Sequence, residues 1–354
     1  MSSLRTSKRP PRSRSAALGF RSAALVGAIS LIAAVSGCTQ AVAPVPTITR
    51  HPAVTQSTGK WLSGASGSTQ AVNDDGIGSW RGRPLDIAGT WSDDDANSVN
   101  FWQLQKGGQY ADWHKPLDIA VGAIDKGETW ARAAAGDYDT RWSESLTKLK
   151  HLRSTTSATT YIRFAHEMNG DWYPWSVNTS NYRDFMTAWK RYRALQKEIF
   201  PAAKLVFSVN RQSVGTGMDW RSFFPGAKYV DVVGVDFYNK SPYVATSAQW
   251  TQSLDAVDQW GAPTGLQGYT DFAADEGLPL AVSEWSSDTQ YGDSPAFVTG
   301  FLDFVKRHSG TGAGLVEYEI LFDVDMNDNE FTLYGTDVRL PQSSAAYRSF
   351  FSSH

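Results

Sequence analysis

The chain has 354 residues, of which 41% are hydrophobic and 19% charged, enough for a sizeable core in one large domain or two small ones. Its formal net charge of −3 hides an asymmetry, because the first 38 positions hold six of the 33 basic residues and none of the 36 acidic ones. Without that segment 27 basic residues face 36 acidic ones, a net charge of −9, which argues against nucleic acid as a partner and is compatible with a neutral polysaccharide.

At the N-terminus Arg5, Lys8, Arg9, Arg12, Arg14 and Arg21 precede an apolar run from Ala23 to Val35. The run is short for a bilayer span and fits a secretory h-region. It ends in Val35-Ser36-Gly37-Cys38, which resembles a bacterial lipoprotein box whose cysteine becomes the lipidated first residue. Cys38 is the only cysteine, so it has no disulfide partner in the chain. The competing reading is an ordinary cleaved signal peptide with an incidental cysteine. The expected organisation is a lipoprotein-type signal peptide over 1–38, a flexible tether over 39–58 rich in Ala, Pro, Thr, Val and Gln, and one folded domain over 59–354. The protein is expected to be exported and lipid-anchored on the outer face of the cell membrane, with some released, and to be a monomer.

Beyond the tether, short apolar runs alternate with helix-like segments. Strands are predicted at Leu62–Ser66, Leu85–Trp91, Leu117–Ile124, Tyr161–Ala165, Lys204–Asn210, Val230–Tyr238, Leu280–Trp285 and Gly314–Phe322. After Ser180-Asn181, apolar residues at Phe185, Met186, Trp189, Tyr192, Leu195 and Ile199 form a helical stripe. Ser294-Pro295 predicts a capped helix start, with Phe297, Phe301, Phe304 and Val305 on one face and a stop at His308-Ser309-Gly310. Near-continuous apolar strands between amphipathic helices imply a parallel sheet covered by helices. Eight such units predict an α/β fold, a single (β/α)8 TIM barrel. No Gly-x-Gly-x-x-Gly follows the first strand, which removes the main support for a dinucleotide-binding sheet.

Barrel enzymes carry their reactive groups at the C-terminal tips of the strands. The tips here are Trp91-Ser-Asp93, Asp125, His166-Glu167, Asn210-Arg211, Asp236-Phe-Tyr238, Glu284-Trp285 and Asp323. Glu167 on the fourth strand and Glu284 on the seventh follow apolar runs directly and have tryptophans nearby. In an eight-stranded barrel those tips face each other, so two carboxyls can converge on one bond. A retaining glycosidase needs that pair, one as acid/base with a raised pKa and one as nucleophile. On this reading His166 and Arg163 orient and tune the acid, and Tyr238 hydrogen-bonds the nucleophile. Asn210 at the fifth tip joins the substrate-binding candidates, and Trp172, Trp175 and Trp285 offer faces for sugar rings. Packing between helices and barrel is the better reading for most of the 14 tryptophans. Asp236 is a rival carboxylate, read as a hydrogen-bonding partner in the mouth.

The segment Arg163-Phe-Ala-His-Glu167-Met-Asn-Gly-Asp-Trp172-Tyr-Pro-Trp175 resembles the acid/base signature of glycoside hydrolase family 26, best known for endo-β-1,4-mannanases. Phe224-Pro-Gly-Ala-Lys-Tyr-Val-Asp-Val-Val-Gly-Val-Asp-Phe-Tyr238 resembles the family's sixth-strand region, and Ser283-Glu284-Trp285-Ser286 sits where its nucleophile is expected. The resemblance covers roughly residues 60 to 350 and is densest around strands four to seven. It implies a retaining β-glycoside hydrolase with Glu167 as acid/base and Glu284 as nucleophile, a polysaccharide or oligosaccharide substrate and no cofactor. Mannan is the first expectation, with β-1,3-xylan and mixed-linkage β-glucan as the family's other substrates. The eighth strand departs from the family pattern, since Glu317-Tyr-Glu-Ile-Leu-Phe-Asp323 has no tryptophan at its tip.

Two further readings compete, a lipoprotein that binds carbohydrate without turnover and a related hydrolase acting on the cell's own envelope glycan. Asp323-Val-Asp-Met-Asn-Asp-Asn-Glu330 alternates oxygen ligands like a calcium loop but lacks the glycine at its sixth position and a glutamate at its twelfth, so a solvated acidic loop is expected. Six scattered histidines form no zinc motif, and no metal is expected. Ser283 lacks a Gly-x-Ser-x-Gly setting.

Overall fold

A computed structural model of the protein describes residues 56–94, 96–326 and 328–353. The expected signal peptide, the lipidation candidate Cys38 and residues 39–55 of the expected tether lie outside the described residues. The last tether residues are tied to the domain, because Thr58 N donates to Ser309 O at 3.0 Å and the Ser57 and Ser309 hydroxyls meet at 3.1 Å.

Eight parallel strands close into a barrel in sequence order. They are β1 (Leu62–Gly67), β2 (Ile87–Ser92), β3 (Leu117–Val121), β4 (Thr160–Phe164), β5 (Lys204–Asn210), β6 (Val232–Asn239), β7 (Leu280–Ser287) and β8 (Val316–Asp323). Closure is made by β1 and β8, paired from Leu62↔Tyr318 to Gly67↔Asp323. The expected (β/α)8 architecture is therefore present, with strand limits displaced by a few residues at most. The helix Tyr182–Ile199 buries Phe185, Trp189 and Tyr192 as its stripe requires. Pro295–Arg307 begins at the expected cap, where Ser294 Oγ accepts from Phe297 N at 3.1 Å.

Alternation along the strands sorts side chains into two cores. The outer one lies between strands and helices. In it Phe164 stacks on Tyr192 with centroids 3.8 Å apart and meets Trp142 and Trp189 at 5.3 and 5.8 Å. The inner one is a small cluster of Ile87, Tyr161, Val206, Val232, Ala281, Tyr318 and Ile320 inside the barrel. Two residues further along the same inward faces come Arg163, Ser208 and Gly234, and the interior turns polar toward the mouth.

One irregularity matters for the site. Along β6 and β7, Val235 pairs with Val282 but Asp236 pairs with Glu284, so Ser283 is an extra residue in β7. Ala281 faces the inner core and Val282 the outer one. Ser283 Oγ lies 3.3 Å from the inward Tyr318 hydroxyl, and Glu284 also turns inward to meet Arg163. Strict alternation would have put Glu284 with Val282, facing the helices.

Removing the ring at Phe164 would leave a void among Trp130, Trp142, Trp189 and Tyr192. Phe164→Ala is expected to lower the unfolding free energy by about 3–5 kcal/mol, measured by guanidinium chloride denaturation.

Candidate active site

Glu167 follows β4 in an unusual backbone. Both Ala165 and Glu167 have left-handed φ values, 54° and 51°, a conformation disfavoured for side chains other than glycine. Neighbouring strands hold them there, since Ala165 N donates to Val121 O and Glu167 N to Ser208 O, each at 3.0 Å. The Glu167 carboxyl receives two neutral donors, Asn210 Nδ2 on Oε1 at 2.5 Å and Trp172 Nε1 on Oε2 at 2.9 Å. Trp172 folds back over Gly170, where an added Cβ would sit 2.3 Å from the indole ring, so only glycine leaves room for it. Burial and then the charge of Glu284 push the Glu167 carboxyl up to about 7.

Glu284 has charged company. Arg163 Nη1 donates to its Oε1 at 2.6 Å, Trp91 Nε1 to the same oxygen at 2.8 Å, and Tyr238 OH to Oε2 at 2.7 Å. Arg163 is wholly buried and also meets Asp118 at 2.5 Å and Asp236 at 3.3 Å. Asp118 is further held by Tyr318 OH at 2.6 Å. Burial, with the charge of Glu284 next, raises Asp236 well above the usual carboxylate range.

Both glutamates line one cleft of about 480 Å³ across the C-terminal ends of the strands. Trp91, Trp172, Tyr173, Phe322 and Phe331 supply apolar walls, and Asp93 and Lys240 add charges. The rings of Phe322 and Phe331, 5.4 Å apart, occupy the β8 side of the cleft, where the sequence offers no tryptophan. Asp93 Oδ2 lies 3.6 Å from His166 Nε2, and burial raises Asp93 to about 6. His166 is held well below its ordinary value by burial and by the Arg163 charge, so its ring is neutral. Its Nε2 also meets Tyr173 OH at 3.1 Å.

Known proteins align with this frame. A profile of Glycosyl hydrolase family 26 matches residues 124–266, a span that holds the Glu167 segment and Tyr238. Endoglucanase H of Acetivibrio thermocellus is 37% identical over 103 residues, 27% of this chain and 11% of that protein. The mannan endo-1,4-beta-mannosidase of Bacillus subtilis is 30% identical over 140 residues, 37% of each chain. The segment of the chain that carries Glu167 thus matches glycosyl hydrolase family 26. Its alignments to these two relatives span little more than a third of their length at most. Among solved structures, the catalytic domain of the family 26 endo-beta-1,4-mannanase of Bacillus sp. JAMB-750 superposes with a TM-score of 0.59, covering 82% of this chain and 85% of that one. At 15% identity that likeness speaks for the fold.

The residues singled out from sequence divide into three groups in this barrel. Glu167, Glu284, Trp172, Tyr238 and Asn210 meet at the cleft. Arg163 and His166 lie just beneath its surface, and Arg163 departs from expectation by pairing with Glu284 instead of Glu167. Trp175 and Trp285 are corrected from sugar platforms to structural residues. Trp175 is 2% exposed, stacked on Tyr173 and bonded to His166 O at 2.8 Å. Trp285 is fully buried on the helix side of β7, 4.1 Å from the Phe301 ring, with Nε1 donating to Glu319 at 2.6 Å.

The loop after β8 is solvated in its middle, at Asp325, Met326 and Asp328, as expected, while its two acidic ends are buried. Asp323 accepts from Leu333 N and Tyr334 N at 2.7 and 3.0 Å and is raised by burial to about 7. Glu330 accepts from Gln290 Nε2. Among the described residues no group of three or more His, Cys, Asp or Glu is arranged to hold a metal ion. Asp93, Tyr173, Lys240 and Phe331 were not singled out for the site from sequence. Only Asp93 carried a signal, its place directly after β2.

A carboxyl raised in the folded state binds its proton more tightly there than in the unfolded chain. Glu167 therefore costs no stability below its unfolded value of 4.5, an increasing amount as pH rises toward about 7, and the full amount above that. Glu167→Gln is expected to raise the unfolding free energy at pH 8 by on the order of 1–3 kcal/mol and to leave it unchanged near pH 4, measured by denaturant titration at the two pH values.

Proposed function

We propose that the protein is a retaining β-glycoside hydrolase that cleaves polysaccharide chains in the cleft, with β-1,4-mannan as the leading substrate. The observation that carries this reading is the pair Glu167 and Glu284 in one cleft but in opposite surroundings. Glu167 sits among neutral donors with a raised pKa, which suits an acid that must keep its proton until a leaving oxygen needs it. Glu284 lies against a guanidinium and a tyrosine hydroxyl, which hold an anion and aim it.

In the first step Glu284 attacks the anomeric carbon as Glu167 protonates the departing oxygen, and a glycosyl ester forms on Glu284. In the second step Glu167, now a carboxylate, takes a proton from water, which attacks the same carbon and releases Glu284. Net retention follows from two inversions. Trp172, 45% exposed and bonded to Glu167, offers its face to a sugar beside the cleaved bond. The mannan assignment leans on the curated mannan endo-1,4-beta-mannosidase relatives. A second reading, a β-glucan substrate, is favoured by the likeness to Endoglucanase H and by phenylalanines instead of a tryptophan at the β8 side of the cleft.

Hydrolysis of β-mannan should fall by roughly 10⁴-fold or more in Glu284→Gln. Glu167→Gln should lose activity on mannan by about 10²–10⁴-fold yet keep the glycosylation step on an aryl β-glycoside whose leaving group needs no proton. Wild-type kcat/KM should decline as pH rises through about 7, where Glu167 loses its proton. The first product seen by NMR should be the β anomer. Release of no reducing sugar from mannan, xylan and mixed-linkage glucan would overturn the assignment.

The lipobox-like Val35–Cys38 segment supports attachment of this domain to the outer face of the cell membrane through Cys38, with no helix among the described residues long and apolar enough to cross a membrane. Cys38→Ser should move the protein from the membrane fraction to the medium, and an unchanged membrane fraction would count against the anchor.

A further inference from the structure

We propose that the end of the barrel opposite the mouth carries a second glycan-binding site, built around Glu317, which holds another stretch of the polysaccharide cleaved at the mouth. The inference rests on the reading of the protein as polysaccharide-directed. A cavity of about 790 Å³ opens among the start of β1, residues 82–86 before β2, the beginning of β8 and the helix Pro341–Ser352. All of these lie at the N-terminal ends of the strands, while the cleft holding Glu167 and Glu284 lies at the C-terminal ends. The volume falls within the range of about 300–1,000 Å³ usual for ligand sites.

Glu317 lines this cavity with its side chain only 5% exposed. Its Oε1 is committed, accepting from Tyr161 OH at 2.7 Å and pairing with Lys204. Its Oε2 is buried and has no hydrogen-bond partner. An acceptor left in that state has lost its hydration without a replacement, and a donor brought by a ligand supplies one. The nearby walls are aromatic, from Trp61, Phe350 and Phe351. Trp61 is fixed in place, with Nε1 3.4 Å from Glu319 Oε1 and the Arg83 guanidinium 4.7 Å from its ring centroid. Arg83 is in turn occupied by Asp86 at 2.8 Å. Two ammonium groups, Lys60 and Lys306, complete the lining, and neither is in an ion pair among the described residues.

The chemistry of this lining selects its ligand. A metal ion would meet two carboxylates that already have cationic partners, Glu317 with Lys204 and Asp86 with Arg83. An anion meets the Glu317 carboxylate as a like charge. A purely apolar molecule leaves Oε2 unpaired. A sugar ring fits each part, because hydroxyls donate to Glu317 Oε2, accept from Lys60 and Lys306, and leave C–H faces for the aromatic walls. Two sites on opposite ends of one barrel let the protein stay on a long chain while the mouth releases and rebinds.

The test is migration of the full-length protein through native gels containing soluble β-mannan or mixed-linkage β-glucan, beside hydrolysis of a short soluble oligosaccharide that only the mouth can turn over. Wild type is expected to be retarded by one of the two polysaccharides. The rim variant Lys60→Ala/Lys306→Ala, and separately Glu317→Gln, should weaken that retardation about threefold or more with oligosaccharide turnover unchanged. The rim variant keeps the test valid if Glu317→Gln unfolds. Retardation of the rim variant equal to wild type, or no retardation of wild type by either polysaccharide, would overturn the second site. Retardation that depends on the rim lysines in a protein that hydrolyses nothing would overturn the proposed function and leave the second site standing.

Discussion

An arginine with no exposed surface joins four strands at the mouth of this barrel. Arg163 on β4 meets Asp118 on β3, Asp236 on β6 and Glu284 on β7. Taking these charges out of water is expensive, and the attraction offsets the cost only with close geometry and added hydrogen bonds. The additional bonds are present, from Tyr318 to Asp118 and from Ser208 to Asp236 at 3.3 Å. Losing one partner would strand the others without compensation, so the cluster holds the inward register of four strands. Among these residues, the position of Glu284 depends most directly on it.

The same cluster separates the two glutamates chemically. The guanidinium sits on Glu284, while Glu167 has only an amide and an indole N–H for company. Within one cleft, one carboxyl is therefore held beside a positive charge and the other is kept protonated by burial and by its neighbour's charge. The left-handed backbone at Ala165 and Glu167 belongs to this arrangement. It swings the Glu167 side chain over the mouth, and hydrogen bonds to β3 and β5 hold the strain in place.

Most of the aromatic content serves the scaffold. Phe164, Trp142, Trp189 and Tyr192 interlock on one side of the barrel, and Trp285, Phe297 and Phe301 on another. Only a few rings, chiefly Trp91, Trp172, Phe322 and Phe331, face the cleft. A packed aromatic shell fixes strand tips closely enough for two carboxyls to share one space, which is what a reaction at a single carbon requires.

The eight-strand rhythm, the helix stripes with their caps and the two glutamates at facing tips were all determined by the sequence alone. Each of those features is encoded within a few neighbouring residues, by periodicity, capping chemistry or position at a strand end. What the tertiary structure decided is non-local. The extra residue at Ser283 reverses the facing that alternation assigns to Glu284, and it is visible only against the register of β6. Arg163 chose Glu284 because the barrel brings β7 opposite β4, a pairing across 121 residues of chain. Trp175 and Trp285 look like Trp172 in sequence, yet backbone direction turns them into the core. The cavity around Glu317 gathers the beginning of β1, the start of β8 and the last helix, segments that only closure of the barrel brings together.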